Sequence, residues 1–347
     1  MRSLRWSAYS SKSGIECHSY LSGMHRCSVC FLLLLPALVA AQHDVRIRSA
    51  AAMDQAELLS FEHRYTEALA RYQEGLALYP TAHGCLVSAL AALEAKDTTA
   101  AIALLRRGVR LGLDQGSIDV NPPLVEVLKT SAAIEFHTES AADLAHWESV
   151  VDHAAVAWLD SLVRIDQHQR SNPDHDPERL AYHDSLHMEL IIQRCEAGWM
   201  PNDRTLGQAI GDFHLLLWHH RGNYHPEHGQ WKRILPHLHR AINAGGLPPD
   251  LLCMFDDHAA WEAGCPMPWG VLIFYFRNVP EELLLDEISA VNARRTTLGL
   301  GTVQDALRLA DVGIDQVRFA APPFTPAPPA PAHPTRCPTP ARTAPLR

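Results

Sequence analysis

The sequence predicts a mainly α-helical chain with at most one or two short strands, on three observations. Apolar residues recur at helical rather than alternating spacing over most of its length. In the N-terminal third, small and aromatic residues return at an offset of 33 residues. Only one segment, Gly270–Phe276, is short, apolar and rich in β-formers. With 347 residues, 47% of them hydrophobic and 20% charged, the chain has room for roughly two domains with real cores.

Residues 1–41 read as an export signal. The apolar stretch Cys30–Ala41 is too short to span a bilayer and ends in Val39-Ala40-Ala41, small enough for signal peptidase. Met24 offers an alternative start with a short basic lead, and no cysteine marks a lipid anchor. The expected location is therefore periplasmic or secreted, with no transmembrane segment once the signal is removed. The first 41 residues are net +3 and the last 27 net +3, which leaves about −15 on the folded middle. Such an acidic body argues against nucleic acid as a partner. Five cysteines lie beyond the signal, an odd number without CxxC spacing, so neither a disulfide framework nor a zinc ribbon is indicated. Cys253 and Cys265 are the pair closest in sequence for a single bridge.

The repeat covers residues 49–113. Ala56 aligns with Ala89, Ala68 with Ala101, Tyr72 with Leu105 and Gly75 with Gly108, and Pro80 ends the first unit. Small residues let paired helices approach, an aromatic fills the seam, and proline stops the second helix. The spacing Ala68-x3-Tyr72-x2-Gly75-x4-Pro80 resembles the second helix of a tetratricopeptide repeat. That resemblance implies a scaffold or protein-binding surface, with a protein partner engaged through residues 49–113. Two units fall short of the three a free-standing solenoid needs, so the pair should pack on the helices C-terminal to it. Residues 114–145, with Pro122-Pro123, read as a helical connector.

A second helical domain is expected over 158–312. Leu180, Leu186, Leu190 and Ile191 mark a helix that stops at Gly198, and further helices are expected near 204–221, 227–244, 248–263, 280–296 and 302–311. Pro280-Glu281-Glu282 suits a helix first turn. Beyond Ala321 ten prolines among alanines and threonines favour polyproline II or disorder over packing.

The second domain carries spaced polar blocks: Asp166-Gln167-x-x-Arg170, Asp184, Gly198-Trp199-Met200-Pro201, His219-His220, Asp257-His258 and Asn292–Leu300. In this order they resemble a bacterial domain of unknown function with DQxxR, GWP, QH, DR and QxYGT blocks. The ends agree with that pattern. The middle departs, with His219 for Gln, His258 for Arg, and Met267–Val271 keeping only an aromatic followed by glycine. The resemblance implies a fold and names no activity.

Asp166, Arg170, Asp184, His220 and Asp257 are the candidate catalytic residues, being polar groups inside otherwise apolar helices. His183 and His187 lie i and i+4 on one helix face with Asp184 between them. With His220 they are the candidate metal ligands, for an unidentified divalent ion. For each group there is a plain structural alternative: half-buried histidines, a solvated loop over His214–His228, and an i,i+4 ion pair for Asp166–Arg170. No GxSxG, GxGxxG or GxxxxGK element is present, which disfavours a serine nucleophile and nucleotide cofactors. Three functional readings are open: an exported interaction or scaffolding protein, a metal-dependent hydrolase, and an inactive family member kept as a binding module.

Overall fold

A computed structural model describes residues 42–172, 176–273, 283–313 and 317–320. The expected export signal and the proline-rich tail lie outside the described residues. The chain is mainly α-helical, with fifteen helices and two short parallel strands among the described residues. No described helix is long and apolar enough to cross a membrane.

Helices α1 (42–61), α2 (Tyr65–Leu78), α3 (Ala82–Glu94) and α4 (Thr98–Val109) form two hairpins. The residues that recur at 33 are interior ones: Ala56, Ala68, Tyr72, Ala89, Ala101 and Leu105 are all buried. Gly75 shows why small residues are needed there. A Cβ on it would lie 2.9 Å from the Met53 side chain and 3.2 Å from the Ser49 carbonyl, both on α1. Capping sets the starts of α3 and α4. Thr81 accepts from the Gly84 amide, and Asp97 accepts from the Ala100 amide at 2.9 Å, each cap contributing about 1 kcal/mol. The connector holds α5 (Gln115–Asp119), α6 (Pro122–Leu128) and α7 (Ile134–Glu148). There α6 packs on α3 and α7 on α4, extending the stack by one more helical pair.

In the second domain α8 (His153–Arg170), α9 (Pro177–Glu196), α11 (Ala209–His219) and α12 (Gly229–Asn243) share one core around Leu159, Ile192, Phe213, Trp231 and Leu238. The short α10 (Asp203–Leu206) precedes α11, and α13 (Cys253–Glu262) comes after α12. The buried stripe of α9 is Met188, Ile191, Ile192 and Cys195. Leu186, expected on that stripe, is 41% exposed. In the first half of α9 the inward positions go to polar residues instead, including Asp184 and His187.

A smaller core gathers α14 (Ile288–Thr297), α15 (Val303–Ala310) and strands β1 (Leu283–Leu285) and β2 (Val317–Phe319). The strands pair in parallel, Leu283 with Val317 and Leu285 with Phe319. Two expectations are corrected here. The helix expected over 280–296 starts only at Ile288, because Leu283–Leu285 is strand. The expected strand over 270–276 is absent from its described part, where residues 270–271 are loop and 272–273 are 3-10 helical; the rest lies outside the described residues. The Val271 and Leu272 amides that a strand ladder would use are bonded to the Asp257 carboxylate instead. The Cys253–Cys265 bridge is also not formed: Cys253 is a free thiol in the core, whereas Cys265 is disulfide-bonded.

The repeat stack is fastened to the second domain along α1. Arg46 donates to the Tyr79 hydroxyl at 2.9 Å, to the Asp203 carboxylate at 2.6 Å and to the Gly245 carbonyl. Tyr79 donates in turn to Asp203 or Gly245, each at 2.7 Å. Burial pushes the Tyr79 hydroxyl up, so it remains a donor at any ordinary pH. Further along α1, Asp54 accepts the Gly301 amide at 2.8 Å. The indole of Trp147 fills the space over Gly112 and Gly207, where a Cβ would lie 2.7 Å and 2.8 Å from its ring.

Candidate functional site

Three helices bring a polar constellation to one place. Asp166 lies in the last turns of α8, 2% exposed, and three groups surround its carboxylate. Arg170 donates Nε–H to Oδ1 at 3.1 Å, and Gln167 donates Nε2–H to Oδ2 at 2.8 Å. His219 Nδ1, from the end of α11, lies 2.9 Å from Oδ2. The same Arg170 guanidinium reaches Asp184 on α9 in a short contact, so it bridges two carboxylates. Burial alone would raise the Asp166 carboxyl. The hydrogen bond and charge of His219, together with Arg170, instead hold it below the usual carboxylate range. Asp166, Asp184 and His219 can each offer a ligand atom within 4.8 Å of the others.

Two more histidines adjoin this group, each 3% exposed. His187 feels the charges of Asp166 and Asp184, and His220 feels that of Asp184. In both, burial outweighs those charges and lowers the imidazole, so each ring is neutral at pH 7. In both, Nδ1 is buried without a hydrogen-bond partner. Neither ring offers a ligand atom within 4.8 Å of the Asp166–Asp184–His219 group, so His187 and His220 lie beside it rather than in it. His183 sits half-buried with its ring 6.4 Å from that of His187.

Asp257 is a correction. It does not belong to the Asp166–Asp184–His219 group. Its carboxylate accepts the backbone amides of Trp269 at 2.8 Å, Val271 at 2.6 Å and Leu272 at 3.4 Å, bracing the loop after α13. From the other side Arg295, 4% exposed, donates to the carbonyls of Gly301 at 2.6 Å and Trp269 at 3.0 Å. Asp256 ties the Tyr224 hydroxyl to the Trp269 indole. The Asp257 and Asn292–Leu300 blocks thus build a brace, whereas Asp166–Arg170, Asp184 and His219 build the constellation. The stretch expected as a solvated loop differs too: His214 lies inside α11, and burial lowers its imidazole to about 4.

The brace has a measurable consequence. Asp257→Asn keeps one acceptor oxygen and turns an NH2 group toward a backbone N–H, at an expected cost of about 2 kcal/mol. Burial raises the Asp257 carboxyl to about 7 despite the three amides and despite Arg295. A folded pKa above the unfolded one means stability that is complete below pH about 4 and lost as pH rises through about 7. The stability gap between wild type and Asp257→Asn should therefore narrow from pH 5 to pH 8 in urea titrations. A gap that widens over that range would show the carboxylate to be the preferred folded form.

His219 is the member of the constellation that sequence reasoning passed over in favour of His220. The signal available was its place beside His220 at a helix end. With Leu216, Leu217 and His220 facing the core, His219 is left to turn toward α8. No protein-family model matches the chain, and neither does any curated protein or solved structure.

Proposed function

We propose that this is an exported protein whose second domain holds a divalent cation for metal-assisted hydrolysis, with the tetratricopeptide-like stack as its scaffold. The observation that carries this reading is the meeting of Asp166, Asp184 and His219 beside two neutral histidines with unpartnered nitrogens. Carboxylate and imidazole ligands from facing helices are how bundles hold transition metals. A cation there would lower the pKa of a bound water. Asp166, Asp184 and His219 would hold the cation, and the neutral imidazole of His187 or His220 beside them would take up a proton and return it to a leaving group. A disulfide at Cys265 favours an oxidising compartment and so agrees with export. We also take the domain as a divergent member of the DQxxR family, because Asp166, Gln167 and Arg170 act together in one constellation.

Titration of the full mature chain with manganese or zinc should show one site per chain, at least tenfold weaker in Asp166→Asn and Asp184→Asn. Uptake by wild type that neither substitution alters would refute the reading. An interaction role remains the second reading, favoured by the solvent-facing apolar side chains of Val120 and Ile134, 76% and 63% exposed on the connector. In that case a partner would be captured by wild type and lost in Val120→Asp/Ile134→Asp.

A further inference from the structure

Three of the four described cysteines are shut inside cores. Cys85, Cys195 and Cys253 are free thiols, 0%, 1% and 2% exposed. Burial pushes all three thiols up, Cys85 and Cys195 to about 12, so none supplies the thiolate that disulfide exchange requires. Cys265 is the exception. It lies just past the end of α13, is only half-buried, and is disulfide-bonded. Its partner is therefore one of the cysteines outside the described residues: Cys17, Cys27, Cys30 or Cys337. The first three fall within the expected export signal, which leaves Cys337 in the mature chain. The path of the described chain favours the same partner. Met267, two residues beyond Cys265, donates to the Leu284 carbonyl at 2.9 Å and so lies along one edge of β1. β2 lies along the other edge, where Ala320 donates to the Leu285 carbonyl at 2.8 Å. The tail thus leaves the fold about 10 Å, two strand spacings, from the segment that carries Met267. The residues from Ala320 to Cys337 reach up to about 50 Å in a polyproline conformation, well beyond that gap.

We infer that Cys265 and Cys337 form a covalent strap that ties the C-terminal tail back to the end of α13. The strap accounts for the odd number of cysteines beyond the signal, as one bridge and three core thiols. It closes a ring of about 70 residues that holds β1, α14, α15 and β2, and with them nearly all of the smaller core. β1 and β2 pair over only three residues, and a two-stranded pair so short holds weakly by itself. The ring limits how far β2 can leave β1, so the state of the bridge sets how firmly the smaller core closes. The bond forms by exchange with a protein disulfide oxidant of the exporting compartment. The Cys337 thiolate attacks the oxidant's disulfide, and the Cys265 thiolate then attacks the mixed disulfide. The Cys265–Cys337 bond forms, the oxidant leaves as a dithiol, and that dithiol carries away the two electrons and two protons. The inference rests on the export reading for its oxidant and for the loss of the leader cysteines. It takes nothing from the proposed metal site.

The test is peptide mapping of the exported full chain, purified without reductant and cut after Glu262 and Arg336 so that Cys265 and Cys337 fall in fragments without another cysteine. Those two fragments should be recovered joined, and Cys85, Cys195 and Cys253 should be alkylated only after unfolding. Cys265 recovered as a free thiol, or joined to Cys17, Cys27, Cys30 or a second copy of the chain, would overturn the assignment. The N-terminal mass of the same sample reports whether the leader has been removed, so a failure of the export reading is told apart from a failure of the strap. Hydrogen exchange then tests what the strap does. The Ala320 amide, bonded to Leu285, should exchange at least about tenfold faster in Cys337→Ser than in wild type. Reduction of wild type should give the same acceleration, and it reads the same bond if the variant does not fold. Exchange at Ala320 unchanged by breaking the bridge would remove its role in closing the smaller core.

Discussion

Arg46→Ala is expected to cost about 4 kcal/mol of folding stability, the largest effect of any single side chain at the seam between the repeat stack and the second domain. Arg46 is 5% exposed, and its partner Asp203 has a side chain only 10% exposed. Truncation leaves that carboxylate without its cation in a low-dielectric setting. It also strips the Gly245 carbonyl of a donor and leaves Tyr79 as the one hydroxyl to serve both acceptors. Removing one member of a buried pair is costly because the other member stays behind, whatever the net value of the intact pair. Arg308 provides the control. It pairs with Glu62 at 2.7 Å across the same two domains, but half of its side chain is in solvent. Arg308→Ala should therefore change stability by less than about 1 kcal/mol. Urea midpoints for the two variants decide the matter: equal losses would mean that the seam does not depend on the buried network.

The seam also explains what the sequence could and could not convey. Ala56, Ala68, Tyr72 and Gly75 and their partners 33 residues on were legible because close helix approach restricts residue type locally. Asp166–Arg170 was legible for the same kind of reason, an i,i+4 spacing on one helix. Asp184 was legible as a polar group in an apolar helix, but His219 comes from a third helix, and no spacing rule links residues 166 and 219. Asp257 was legible as a buried acid but not in its role. Bracing a loop and polarising a substrate both call for an inward carboxylate, and the choice depends on where the Trp269–Leu272 amides lie. One or two short strands were expected, but their positions were missed because Leu283–Leu285 continues an apolar, helix-compatible run and is only three residues long. Pairing with Val317–Phe319 across two intervening helices makes it a strand, a non-local cause that periodicity does not register.

Gly299→Ala should be nearly as damaging as loss of Arg46, for a reason that combines a local and a distant constraint. Gly299 lies just past the end of α14 with φ +75, and the chain reverses there in a Schellman arrangement: Leu300 N–H to the Arg295 carbonyl at 3.1 Å and Gly299 N–H to that of Thr296 at 3.2 Å. A side chain in that backbone region costs about 1 kcal/mol by itself. The distant constraint is α1, which passes so close that a Cβ on residue 299 would land on the Ile47 carbonyl oxygen, with the Ala51 amide 3.1 Å away. Helix backbone cannot yield as a flexible side chain can, so α1 must shift as a body, adding roughly 2 kcal/mol or more. The expected total of about 3 kcal/mol corresponds to a Tm lower by roughly 6–12 °C. Gly198→Ala separates the two terms. It has φ +101 with no atom within 4 Å of the added carbon, so it carries the backbone penalty alone. A Gly299→Ala loss no larger than that of Gly198→Ala would mean that α1 is free to move away from the second domain. Because Arg46 lies one residue before Ile47, a shift of α1 should also loosen the Arg46–Asp203 network. The double variant Gly299→Ala/Arg46→Ala should then lose less than the sum of the two single losses, the signature of contacts broken together.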